Sequence, residues 1–198
     1  MLAKDFYLRD TVEVARDLLG KVLVHQDGGR VFRGRILETE AYLGIGDRAC
    51  HTFGGLRSPR TEPMWQEGGR AYIYLSYGLH HLFNVVTREA GVPEAVLIRA
   101  VALEDRALSS PLRFGKALED LTPSQVKNLS NGPAKLTQAM AIVKDFTGQG
   151  LGGPRFYIEE GPREEAIITS TRIGIENSQE AASYPLRFYL EGTGVSKT

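Results

Sequence analysis

The run Glu38-Thr39-Glu40-Ala41-Tyr42-Leu43-Gly44 sets two carboxylates and an aromatic ring at alternate positions. On a strand, side chains two apart share a face, so Ile36, Glu38, Glu40 and Tyr42 are expected on one side. Leu37, Thr39, Ala41 and Leu43 are expected on the other. A carboxylate beside aromatic rings suits hydrolysis in which the carboxylate takes a proton from water while the rings hold a flat ligand. A second stretch, Ala71-Tyr72-Ile73-Tyr74-Leu75-Ser76-Tyr77-Gly78, supplies more rings. There Ala71, Ile73 and Leu75 suit a core face, while Tyr72 and Tyr74 line the opposite one. Stacking on such rings is worth roughly 1 to 3 kcal/mol per nucleobase. The same residues would also serve an aromatic binding groove without chemistry, or a strand face that is merely solvated.

Other chemistries fit the spacing less well. His51, His80 and His81 lie near carboxylates, but adjacent histidines on a strand point apart, and no pair has the i, i+4 spacing of a helical metal site. Neither a metal nor an organic cofactor is expected. Cys50 precedes His51 directly, and sequence neighbours rarely face each other as nucleophile and base, so a buried inert thiol is the simpler reading. There is no Gly-x-Ser-x-Gly elbow and no phosphate-cradling glycine loop.

The chain of 198 residues, 42% of them hydrophobic, fits one domain spanning residues 1–198 with one substantial core. Its 24 basic and 24 acidic side chains cancel, so composition alone points to no polyanionic partner. A mixed surface can still hold a local basic groove. The lone cysteine excludes an internal disulfide and fits a reducing compartment. No stretch approaches the roughly 18 apolar residues of a membrane span. An intracellular monomer with no membrane partner is the expectation.

The elements that must position these residues follow from periodicity. Val12, Ala15, Leu18 and Leu19 predict a helix over residues 10–19, capped by Asp10 or Thr11 and stopped by Gly20. Strands are expected at 21–25 and 30–40, joined by Gln26-Asp27-Gly28-Gly29 as a hairpin turn that delivers Glu40 at its far end. Residues 44–69 are rich in Gly, Pro and Arg and predict a long binding loop, in which Arg57 and Arg60, with Arg70 just beyond, either meet phosphates or are ordinary solvated charges, the latter being the simpler reading for any single one. Strands follow at 71–78, 82–86 and 95–100, then a short helix near 115–121. A clearer helix begins at Pro133, with Leu136, Ala139, Met140 and Val143 on one face. A turn at 148–154 and strands near 156–158, 166–168, 172–175 and 186–190 complete the chain. The predicted fold is α+β: a curved, mostly antiparallel sheet flanked by helices.

Several blocks in order carry a resemblance. They are the run from Arg33 to Gly44, Asp47 with His51, Ser58-Pro59-Arg60, Tyr72 to Gly78, Asn84-Val85-Val86, Val96-Leu97-Ile98-Arg99-Ala100, Ser130 to Leu136, and Pro185-Leu186-Arg187-Phe188-Tyr189. Together they resemble the alkyladenine (3-methyladenine) DNA glycosylase family over most of the chain. The resemblance implies a monofunctional enzyme of base-excision repair, without lyase activity, acting on damaged double-stranded DNA in the cytoplasm or nucleus. It would flip 3-methyladenine, 7-methylguanine, hypoxanthine or ethenoadenine out of the duplex and hydrolyse the N-glycosidic bond. It assigns Glu40 as the base that activates water, with Arg99 helping to hold that water. Tyr42, His51 and Tyr74 would sandwich the flipped purine, and Asn84 would obstruct the exocyclic amino group of normal guanine. Tyr77 would wedge into the duplex, near a contact made by Leu79, and Glu38 is left without a role. Two positions depart from the family pattern: Leu79 stands where Met is common, and Thr61 where Asn is frequent.

Overall fold

The computed structural model describes residues 1–162 and 165–195. Among these residues the fold is α+β, a curled antiparallel sheet with four α-helices, as the periodicity predicts. Eight strands are present: β1 (Val22–Asp27), β2 (Arg30–Tyr42), β3 (Ala71–Ser76), β4 (His80–Thr87), β5 (Glu94–Leu103), β6 (Phe156–Glu159), β7 (Ile167–Ser170) and β8 (Arg187–Leu190). The main path runs β3-β4-β5-β2-β1-β6, and β8 joins β2 and in turn carries β7.

β2 is the hub. It runs antiparallel to β5 along residues 34–42, while β1 and then β8 pair with it at residues 30–35 and 38–40. The tight turn between β1 and β2 uses Gly28 and Gly29 at φ +54° and +79°, the mirror-image backbone that suits a two-residue hairpin. Every residue from Ile36 to Ala41 is buried, so this segment is enclosed on both faces rather than exposed on one.

Two irregularities interrupt the β2–β5 ladder. Ile36 pairs with Val101 but Glu38 pairs with Ala100, and Thr39 then pairs with Ile98. Leu37 is therefore an extra residue on β2 and Arg99 an extra residue on β5. The expected face changes accordingly: Glu38, Glu40 and Tyr42 stay together, whereas Ile36 packs in the main core with Leu37 and Ala41. A bulge unpairs one residue and re-aims its side chain, and here it turns Arg99 toward both carboxylates.

The helices fill the surroundings. In α1 (Thr11–Asp17) the Asp10 side chain accepts from the backbone N–H groups of Val12 and Glu13, and Val14 and Ala15 face inward. The helix rests on β2, where the Thr39 hydroxyl donates to Ala15 O at 2.8 Å. The short helix expected near 115–121 is a single 3-10 turn at Leu118–Asp120, and the α-helix of this region lies earlier, as α2 (Arg106–Phe114), with Gly115 as its left-handed cap at φ +64°. Pro111 inside it is what hides it in the sequence, because proline breaks most helix interiors. A short α3 (Pro123–Lys127) follows, closed by a Thr122/Gln125 capping box. In α4 (Pro133–Ala139), Leu136 and Ala139 are buried as expected and Met140 just after them is too, but Val143 lies beyond the helix and is half-exposed. The strand expected at 172–175 is absent, and those residues form an irregular loop in which the Ile173 and Gly174 N–H groups bond the Glu40 and Glu176 side chains instead of a strand ladder. No helix of the described residues is long and apolar enough to cross a membrane.

Candidate functional site

A cavity of about 570 Å³ opens where the bulged end of β2 meets β3, β5 and the loops at 49–51 and 173–178. Tyr42, His51, Tyr74, Asn84, Arg99 and Tyr77 all line it. Glu40 is fully buried just behind this wall, held by three donors. Arg99 Nη1 reaches its Oε1 at 3.1 Å, the Ile173 N–H donates to the same oxygen at 2.8 Å, and the Tyr42 hydroxyl donates to Oε2 at 3.0 Å. All three of those residues line the cavity.

Arg99 is itself one link in a buried chain of charge. Its Nε bonds Glu38 Oε1 at 3.2 Å, and Arg187 Nη1 reaches the same oxygen at 3.1 Å. Burial opposes the charge on Arg99, but Glu40 and Glu38 outweigh it and its pKa is raised. Burial pushes the Glu38 carboxyl up even though Arg99 and Arg187 pull it down. The order Arg187, Glu38, Arg99, Glu40 gives each inner charge an opposite neighbour on both sides, which is the condition for keeping ions out of water.

The aromatic walls are uncharged. His51 and Tyr74 meet edge to face with centroids 4.4 Å apart, and Tyr72 lies 5.5 Å from Tyr74. Tyr72 lines the cavity floor and is also buried, joining Cys50, Met64, Val86 and Ala95 in a small second core. The His51 Nδ1 is 2.8 Å from the Tyr72 hydroxyl, and the Arg60 guanidinium approaches Nε2 at 3.3 Å. Because a guanidinium can only donate, Nε2 accepts and the ring proton sits on Nδ1. Burial, aided by Arg60, lowers the His51 pKa to about 4. Burial also raises Tyr74 to about 12 and Tyr42 well above its ordinary value. At neutral pH the pocket therefore presents a neutral imidazole and neutral phenols.

A pH dependence follows. The unfolded chain protonates its histidines near pH 6.5, while folded His51 resists until about pH 4, so its contribution to stability is present above 6.5 and is lost as pH falls toward 4. Between pH 7 and 5 the loss from this one ring is about 2 kcal/mol. Urea denaturation of wild type and His51→Gln at both pH values checks it: the wild type is expected to lose more stability than the variant, and equal losses would contradict the assignment.

Asn84 is pinned in the wall, its amide Nδ2 donating to Tyr72 O at 3.0 Å. Tyr77 occupies the tip of the β3–β4 hairpin at φ +50°, followed by Gly78 at +71°, with the Leu79 N–H closing the turn onto Ser76 O. A non-glycine residue seldom adopts this backbone, and Tyr77 is 94% exposed while doing so. Leu79 is 74% exposed beside it but does not line the cavity. The tip thus projects two large apolar side chains into solvent next to the cavity mouth.

The sequence leaves several members of this arrangement unassigned. Arg187 and Asp47 lie inside recognisable blocks but show no sign of being buried ion-pair partners. Arg60 lines the cavity with its guanidinium 5.2 Å from the Tyr74 ring centre. The Ile173 N–H and the buried Arg172 come from the segment expected to be a strand. Among the described residues no group of three or more His, Cys, Asp or Glu side chains is placed to hold a metal. Cys50 is buried, and burial raises its thiol pKa.

The chain is similar to known proteins over nearly its whole length. A family model described as Methylpurine-DNA glycosylase (MPG) matches residues 5–194. A Desulfitobacterium hafniense (strain Y51) protein named "Putative 3-methyladenine DNA glycosylase" is 48% identical over 192 residues, covering 96% of this chain and 95% of its own. Proteins of the same name from Clostridium acetobutylicum and Bacillus thuringiensis (strain Al Hakam) are 47% and 45% identical, covering 96% and 94% of this chain and 94% of their own in both cases. With a family match over nearly the whole chain and relatives this similar end to end, the chain belongs to the methylpurine-DNA glycosylase family.

Proposed function

We propose that this protein removes alkylated or deaminated purines, among them 3-methyladenine, 7-methylguanine, hypoxanthine and ethenoadenine, from duplex DNA by base flipping and hydrolysis. The observation that carries the reading is Glu40, a fully buried carboxylate bonded by three residues of an aromatic cavity. A purine inside a duplex is out of reach of such a cavity, so the nucleotide must leave the stack, and a damaged base is cheaper to unstack.

In the reaction, the bond between C1′ and the purine nitrogen breaks and its electron pair leaves with the base. A methylated purine departs as a neutral molecule because that pair cancels its positive charge, whereas a neutral lesion takes up a proton from solvent as it departs. A water oxygen bonds C1′, and Glu40 accepts the proton the water loses. The carboxylate also faces the positive charge that develops on the sugar. Arg99 orients Glu40 and the water. Tyr42, His51 and Tyr74, all uncharged, stack on the flipped purine, and the pinned Asn84 obstructs the exocyclic amino group of normal guanine, a penalty that 7-methylguanine offsets with the glycosidic bond its positive charge weakens. The cavity lining includes no lysine among the described residues, which supports hydrolysis without the Schiff base that strand cleavage would need.

Tyr77 fills the gap left in the duplex, supported by its exposure and fixed turn, and Leu79 contacts the adjacent bases. Tyr77→Ala is expected to weaken binding to a lesion duplex about 5- to 150-fold, the equivalent of one lost stacking contact of roughly 1 to 3 kcal/mol. A titration by fluorescence anisotropy that gave unchanged affinity would remove Tyr77 from this role. The function itself is tested with duplexes that each carry one of the four lesions: free modified purine should appear from at least one.

A further inference from the structure

Glu40 owes one of its three bonds to the backbone of Ile173, in a loop with no strand to hold it. What fixes that loop is the preceding residue. The Arg172 side chain is completely buried and makes a two-pronged pair with Asp47, Nη1 to Oδ2 at 2.5 Å and Nη2 to Oδ1 at 2.8 Å. It also donates to Ala41 O at 2.9 Å and to Ala181 O at 3.2 Å, and its guanidinium lies 4.7 Å from the centre of the Tyr42 ring. Asp47 in turn accepts from the backbone N–H groups of Leu43 and Ala49. One ion pair therefore joins three segments that meet at the cavity: the end of β2 with Tyr42, the turn leading to Cys50 and His51, and the loop with Ile173.

A buried pair of this kind is weak evidence for stability, since its desolvation cost is comparable to its attraction. Its geometric content is larger. A bidentate guanidinium–carboxylate contact fixes both distance and orientation, so it holds the Ile173 N–H and the Tyr42 hydroxyl where both reach the Glu40 carboxylate. We infer that Asp47 and Arg172 are a positioning pair for the reaction, acting through the orientation of Glu40 and touching neither base nor sugar. The inference rests on the reading of Glu40 as the base.

A double-mutant cycle in the full chain tests it, reading single-turnover base release and lesion-duplex affinity separately. R172K keeps the charge but loses the two-pronged contact, and it is expected to slow release about 10- to 100-fold, the scale of a small misplacement of a reacting group. Affinity is expected to change far less. In an E40Q background, R172K should change the residual rate by no more than about twofold, because the route through Glu40 is already cut. Addition of guanidinium to R172G should restore part of the lost rate. D47N is the second entry to the same cycle if R172K does not fold.

Losses that multiply in the double variant, or a fall in affinity with an unchanged rate at saturation, would overturn the positioning role. So would failure of both R172K and D47N to fold, which would assign the pair to stability. Release by E40Q at the wild-type rate would instead overturn the reading of Glu40, and no release by the wild type would overturn both.

Discussion

Glu40→Gln is expected to slow base release by about 10² to 10⁴-fold while leaving lesion binding nearly intact. The substitution keeps size and most contacts. The glutamine carbonyl can still accept from Arg99 and the Ile173 N–H, and its amide can donate to the Tyr42 hydroxyl, which then accepts where it now donates. What disappears is the negative charge and the capacity to take a proton. Arg99 stays in place through its separate bond to Glu38. Single-turnover release from a lesion duplex, with affinity measured in parallel, decides the matter: a rate within about tenfold of wild type would mean that another group serves as the base.

Glu38→Ala is expected to act on stability instead, costing about 3 to 5 kcal/mol. Glu38 is 2% exposed and stands between Arg99 and Arg187, which are 9% and 1% exposed. Burial raises the Glu38 pKa despite both arginines, so the charged chain is no large source of stability as a whole. Removing its inner carboxylate is another matter, because it places two buried guanidinia next to each other with nothing between them. Equilibrium urea unfolding should show the loss, with Glu38→Gln milder because the amide oxygen still accepts. A cost below about 1 kcal/mol would show that Arg99 and Arg187 relax to other partners.

These two glutamates mark how far the sequence was legible. Alternation along β2 correctly brought Glu38, Glu40 and Tyr42 to one side, but could not rank the two carboxylates. What distinguishes their surroundings is Arg187 beside Glu38 and the Ile173 N–H on Glu40, residues that lie far along the chain and arrive only through long-range packing. The sheet, its antiparallel hairpins and the helix at Pro133 carried local signals of periodicity and turn chemistry. The bulges at Leu37 and Arg99 did not, since an extra residue in a ladder shows only when the partner strand is known. α2 was hidden by Pro111, and the segment at 172–175 alternated like a strand although its donors serve Asp47 and Glu40. Tyr72 and Tyr74 share one face and both line the cavity, as read, but Tyr72 is also buried against Cys50, Met64, Val86 and Ala95 while Tyr74 is only half-buried. That difference came from the loop folded over them, which periodicity cannot see.

The most direct measurement is single-turnover incubation of the protein with duplexes carrying one hypoxanthine, ethenoadenine or methylated purine each. Free base and strand breaks are scored before and after alkali, with borohydride present in a parallel reaction. Hydrolysis by a water activated at Glu40 predicts free modified purine, strand breaks that appear only after alkali, and no borohydride-trapped adduct. Intact purine in every duplex would contradict the glycosylase reading, and a trapped covalent adduct would contradict water as the nucleophile.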